Sequence, residues 1–182
     1  GLDLEAGGTW LGISEAGRFA AITNVREPGM AAGDLSRGAL TRNFLQSSLS
    51  ALDYASTIDG RRYSGFNLLM ADGESLAYFS NRDGEARALA PGIYGLSNYR
   101  LDTPWPKLLA ARENFSEALI KLPDESAFFE LLGDASIIAD ESLPSTGVSL
   151  EWERLLSAIF VKSETYGTRA STLAWQRADG VV

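Results

Sequence analysis

None of the 182 residues is histidine or cysteine. That removes the usual general base near neutral pH, the commonest metal ligand and the ordinary thiol nucleophile. A Ser-His-Asp triad, a Cys-His dyad and an ordinary zinc site are therefore excluded within these residues. Thr9 and Thr168 carry hydroxyls but have no internal base to activate them. What remains is polar chemistry at the ends of apolar runs. Asn24 closes the run RFAAITN and precedes Arg26-Glu27-Pro28-Gly29, where an amide either starts a turn or donates to a carbonyl oxygen that is gaining charge. Asn98 stands in the same relation to Tyr94-Gly95-Leu96-Ser97. Arg169 enters the last apolar run, either solvated or paired with some of the 24 acidic residues. Arg26 reads as a surface residue able to pair with Glu27. Asp134, Asp140 and Glu141 lack the alternating spacing of a calcium loop, so no metal site is expected.

These residues need elements to position them. Gly7-Gly8-Thr9-Trp10-Leu11-Gly12-Ile13 reads as a turn entering a strand, and residues 18–24 as its hairpin partner. Leu40, Phe44, Leu45, Leu49 and Leu52 repeat at helical spacing, with Asp34 or Ser36 available as a cap. A second hairpin runs from Gly65-Phe66-Asn67-Leu68-Leu69-Met70 through Asp72-Gly73 to Leu76-Ala77-Tyr78-Phe79-Ser80. Residues 86–90 and 92–97 are two further strand expectations. Thr103-Pro104 predicts a helix start, and Phe128, Phe129, Leu131 and Leu132 predict another helix that stops at Gly133. Trp152, Leu155, Leu156, Ile159 and Phe160 form an apolar stripe behind the cap Ser149, which predicts a core position for Trp152. The chain closes on a strand pattern at residues 169–175 and a turn at Ala178-Asp179-Gly180.

Strands arrive as antiparallel hairpins and helices in consecutive groups. That order favours an α+β protein with helices layered on sheets, and with no G-x-G-x-x-G or phosphate loop it does not favour a Rossmann fold. Hydrophobic residues make up 45% and charged residues 22%, which suits a globular domain rather than a disordered chain. The net charge of −8 argues against nucleic acid and anionic membrane surfaces as partners. No apolar run approaches the roughly 18 residues of a membrane span. The lack of cysteine and of a targeting segment suits a cytoplasmic location.

Taken in order, several segments resemble the NRDE family, also called the transport-and-Golgi-organisation family. They are Gly7-Gly8-Thr9-Trp10-Leu11-Gly12, Thr23-Asn24-Val25-Arg26-Glu27-Pro28, Ser36-Arg37-Gly38 and Gly65-Phe66-Asn67-Leu68-Leu69, then Tyr78-Phe79-Ser80-Asn81-Arg82, Gly92-Ile93-Tyr94-Gly95-Leu96-Ser97-Asn98, Asp102-Thr103-Pro104-Trp105-Pro106-Lys107 and Tyr166-Gly167-Thr168-Arg169. Asn81-Arg82-Asp83-Gly84 imitates the namesake tetrapeptide but stands in a different segment. The namesake motif and a cysteine after the initiator methionine, both features of the family, are missing here. The chain is therefore expected to be one domain over residues 1–182, incomplete at its start and at its end.

The resemblance implies a four-layer αββα sandwich of N-terminal-nucleophile-hydrolase type, here without its first strands. In that fold the first residue attacks an amide carbonyl with its own α-amino group as base, which needs no histidine. It implies catalytic-site roles for Asn24 and Asn98 facing the substrate carbonyl, and for Arg169 holding a cysteine thiol in its thiolate form. The implied activity is hydrolysis of non-peptide amide bonds, with these residues alone catalytically silent. The alternative is a haem-binding or haem-trafficking protein without enzymatic activity. Met30, Met70 and six tyrosines are the only residues here of the types that ligate haem iron. The expected ligand is a small molecule or haem.

Overall fold

The computed structural model describes Asp3, Leu4 and residues 7–176. It is a mixed α/β protein with a five-stranded antiparallel sheet and, among the described residues, five α-helices. The chain forms two compact units. Described residues up to Gly92, with Asn98–Arg100, Trp175 and Gln176, make the first; Ile93–Ser97 and Leu101–Ala174 make the second. The expected turn at Ala178-Asp179-Gly180 lies outside the described residues.

The first unit is built on β1 (Leu11–Ile13), β2 (Phe19–Asn24), β3 (Phe66–Ala71), β4 (Leu76–Ser80) and β5 (Arg87–Ala88), in sheet order 1-2-3-4-5. Both predicted hairpins are present. Asp72 closes the second, accepting from the N–H groups of Glu74 and Ser75 at 3.0 and 2.9 Å while Gly73 takes φ +95°. Alternation along the strands sends Ala20, Ile22, Phe66, Leu68, Met70 and Ala77 to one face, all of them buried. Helices α1 (Gly38–Gln46) and α2 (Ala51–Ser56) contribute Leu40, Phe44, Ala51, Tyr54 and Ala55 to the same core.

The single helical pattern read over residues 40–52 is two helices. Ser47 is extended, and Ser50 restarts the helix by accepting from Asp53 N–H at 3.1 Å. Arg18 secures the junction. Its guanidinium lies 4.1 Å from the Phe44 ring centre and donates to the Leu49 carbonyl at 2.7 Å. Neither Asp34 nor Ser36 caps α1 with its side chain.

The second unit carries α3 (Pro106–Ile120), α4 (Ser126–Leu132) and α5 (Leu150–Leu155). Phe115 and Phe128 meet edge to face at 5.2 Å between α3 and α4. Helix α3 begins at Pro106 rather than after Thr103, because a residue that precedes proline avoids helical angles and Trp105 therefore stays extended. Residues 92–97 form no strand. Gly95 and Asp102 instead close a loop, with Gly95 N–H on Asp102 Oδ1 at 2.8 Å and Asp102 N–H on Gly95 O at 2.8 Å. Residues 169–175 likewise form no strand with any described residue. Trp152 is 42% exposed rather than core. Helix α5 ends before the stripe completes, the Arg154 carbonyl in its last turn accepting from the Ser157 hydroxyl at 2.6 Å, so Ile159 and Phe160 leave its face. Glu153 is the buried residue of that helix, its Oε1 accepting from Thr146 N–H and Oγ1 at 2.6 and 2.7 Å.

Candidate functional site

Within the first unit, polar side chains gather where β2 ends, β3 begins and β4 ends. Asn24 is the last residue of β2, opposite Phe66. Its side chain is exposed and its amide makes no hydrogen bond among the described residues. Asn98 is bound to the same point twice. Its carbonyl accepts from Arg26 N–H at 2.7 Å, and its amide donates to the Asn24 carbonyl at 3.2 Å. The structure thus brings Asn24 and Asn98 together at one strand end, with amide donors of both still uncommitted among the described residues.

Behind this pair lies a charged frame. Arg82 forks onto Glu27, Nε to Oε2 at 2.7 Å and Nη2 to Oε1 at 2.8 Å, and Gly65 N–H adds a third donor to Oε1 at 2.7 Å. The Arg82 hydrogen bonds, helped by Gly65 N–H and the neighbouring Arg37 charge, hold the Glu27 carboxyl below its ordinary value. Glu27 therefore pairs with Arg82, not with Arg26. Arg37 stands beside this pair, donating Nη1 to the Gly65 carbonyl at 3.0 Å and lying 5.6 Å from the Trp10 ring centre. The same carbonyl accepts from Val25 N–H at 3.0 Å, which sets Arg37 next to the end of β2. Burial pushes the Arg37 pKa down.

The opposite face of the sheet carries a polar row, two of its three residues buried. Thr23, Asn67 and Ser80 stand side by side across β2, β3 and β4. Asn67 is fully buried, donating to the Tyr99 carbonyl at 2.7 Å and to Thr23 Oγ1 at 3.2 Å while accepting from the Tyr78 hydroxyl at 2.9 Å. The segment Asn98–Arg100 is thereby tied to β3 as well as to β2.

The tetrapeptide Asn81-Arg82-Asp83-Gly84 has a structural task. The Asn81 amide donates to the Gly60, Tyr63 and Ser64 carbonyls and its oxygen accepts from Phe66 N–H, which shapes the entry to β3. Asp83 meets Arg87 and Arg100 at 3.4 and 3.5 Å.

Arg169 belongs to the second unit. It is exposed and has no hydrogen-bond or ion-pair partner among the described residues. It follows Thr168, which exchanges hydrogen bonds with Val161 at 2.8 and 2.9 Å. The second unit also holds a groove of about 400 Å3 between α3 and α4, lined by Asn114, Glu117, Lys121, Glu130 and Asp134 among others. Among the described residues, no three His, Cys, Asp or Glu side chains gather closely enough to hold a metal ion.

Sequence reasoning missed Arg37, Arg82 and Asn67 as members of this region. Asn67 did carry a signal, as a lone amide inside the apolar run of β3. Arg82 carried none beyond its place in the misleading tetrapeptide, because its partner lies 55 residues away.

These features define a mixed α/β protein whose antiparallel sheet ends in a cluster of amides and arginines and whose described residues offer no metal cluster. The family model for Transport and Golgi organisation 2 matches residues 1–182, and the chain belongs to that family. It is 38% identical over 204 residues to the Transport and Golgi organization protein 2 homolog of Bos taurus, covering all of this chain and 73% of that protein. The corresponding proteins of Mus musculus and Homo sapiens are each 36% identical, over 203 and 202 residues, again across all of this chain and 73% of theirs. Among the described residues, no helix is long and apolar enough to cross a membrane.

Proposed function

We propose that the chain is the body of an amide hydrolase of the N-terminal-nucleophile type, acting on non-peptide amides. Asn24 and Asn98 donate to the carbonyl oxygen as it gains charge, and Arg169 favours the thiolate of the nucleophile. The reading requires a cysteine thiol with its own α-amino group as base, which these 182 residues do not carry. The observation that carries it is the pairing of Asn24, the last residue of β2, with Asn98, joined by Asn98 Nδ2 on the Asn24 carbonyl and each still holding uncommitted donors.

The αββα sandwich is part of the same proposal. What supports it is the face of the sheet opposite α1 and α2, where Leu11, Phe19, Ala21, Leu69 and Leu76 stand in adjacent rows. A sheet with apolar rows on both faces, the second bounded at its end by the Thr23, Asn67 and Ser80 row, suits the inside of a layered sandwich. The haem alternative gains less. Met70 is fully buried in the core, and the Tyr54 and Tyr78 hydroxyls are bound to the Leu40 carbonyl and Asn67 Oδ1.

The test is turnover of a panel of small amides by the full-length protein. Alkylation of an N-terminal cysteine should abolish it, and Asn24→Ala or Asn98→Ala should lower kcat by about 10²–10³, the range for losing an oxyanion donor. Unchanged turnover in both asparagine variants, or in a protein whose first residue is alanine, contradicts the proposal.

A further inference from the structure

Arg37 is the odd member of the charged frame. Glu27 is the carboxylate whose charge Arg37 senses, but both Glu27 oxygens already accept hydrogen bonds, from the Arg82 fork and from Gly65 N–H. Among the described residues Arg37 has no ion-pair partner, and a single hydrogen bond, to Gly65 O, engages only one of its five N–H donors. Arg37, Arg82 and Glu27 together leave one uncompensated positive charge. That charge is only partly exposed and stands beside an indole. A half-buried guanidinium that shares its only carboxylate with a second arginine is costly unless something else supplies a further anion.

Its surroundings define what would fit. Trp10 remains 41% exposed, so part of its indole is open to a ligand. Its carbonyl accepts from Ile22 N–H at 2.8 Å, which fixes it alongside β2. Asn24, two residues further along β2, adds an unengaged amide one residue from the carbonyl-bound Val25. A planar fork, an aromatic surface and a neutral amide together match a flat anion with an apolar body rather than a hydrated inorganic ion.

We propose that Arg37, Trp10 and Asn24 form a binding mouth for small organic carboxylates, the guanidinium taking the carboxylate and the indole the planar or apolar body attached to it. The inference rests on reading this strand end as a small-molecule site, and it narrows the substrate class to amides that carry a carboxylate.

Benzoate and its neutral isostere benzamide test it when titrated into the protein. The readouts are the Arg37 Nε–H and Trp10 indole N–H resonances. Benzoate should shift both signals, and benzamide at the same concentration should shift neither. Arg37→Gln should weaken benzoate about tenfold, on the scale of one charge-assisted contact. Arg37→Lys keeps a donor for the Gly65 carbonyl but lacks the fork, so it should also weaken benzoate while preserving the melting temperature. Equal affinity for benzoate and benzamide overturns the proposal, as does a stably folded Arg37 variant with undiminished benzoate binding, or the absence of any shift. Phenyl phosphate binding through Arg37 more tightly than benzoate would replace carboxylate by phosphate and overturn the stated class. Amide turnover is followed as a separate readout. Benzoate binding with no amide cleaved upholds the mouth and counts against the hydrolase; cleavage of carboxylate-bearing amides undiminished by Arg37→Lys upholds the hydrolase and counts against the mouth.

Discussion

Glu27 joins β2, β3 and β4 through a single carboxylate, since Arg82 follows β4 and Gly65 precedes β3. Replacing it with glutamine keeps an acceptor but removes the charge that both arginines sense. Glu27→Gln should cost about 1.5–3 kcal/mol, the range for a hydrogen bond to a charged group. A double-mutant cycle with Arg82→Ala should show coupling of about 0.5–3 kcal/mol, measured by urea denaturation. The pH dependence has a definite sign. The native carboxyl sits below the ordinary value of 4.5, so it holds its proton less tightly than the unfolded chain does. Its contribution is complete above that value and is lost as pH falls through the native one. The stability gap between the parent and Glu27→Gln should therefore be full at neutral pH and narrow in acid. A gap that widens on acidification contradicts this account. Asn67 makes a second residue-scale case. Asn67→Leu removes the hydrogen bonds that Asn67 makes with the Tyr78 hydroxyl, the Thr23 hydroxyl and the Tyr99 carbonyl, and should lower stability by about 2–3 kcal/mol.

The elements meet closely where a side chain would intervene. A Cβ on Gly8 would lie 2.3 Å from the Gly38 carbonyl carbon, where Thr9 N–H bonds to Gly38 O at 3.1 Å. Gly8→Ala must push the start of α1 away from the sheet. An expected loss of about 1–3 kcal/mol follows, visible as a lower melting temperature. Both hairpins were legible in the sequence because Gly17 and Asp72-Gly73 mark turns between apolar runs. The helix ending at Gly133 was legible for a similar reason. What escaped was set by distant contacts. Arg18 pins the break between α1 and α2 from 31 residues away, at the Leu49 carbonyl, so the uninterrupted leucine spacing misled. Trp152 was misplaced because its stripe assumed a helix longer than the one Ser157 closes. Of the candidate site, Asn24 could be found as a strand-end amide, whereas Asn98 ends a loop and not the expected strand, and the hydrogen bond that unites the two spans 74 residues. Local pattern does not carry such pairings.

At the scale of the whole molecule, the sheet has one face packed under α1 and α2 and a second face of apolar residues that the proposed sandwich would bury. Leu69 lies at the middle of that second face, between Ala21 and Tyr78. Leu69→Asp should then destabilise the protein by about 2 kcal/mol or more, whereas a change within about 0.5 kcal/mol would mark the face as ordinary surface. The central claim is that the end of β2 is where a ligand's carbonyl meets Asn24 and Asn98. Following side-chain amide resonances during titration with a small carboxylate-bearing amide such as N-benzoylglycine tests it most directly. The account predicts that the Asn24 and Asn98 signals shift together while that of Asn67, sealed in the sheet, does not. Shifts confined to other residues, with Asn24 and Asn98 both unmoved, would contradict it.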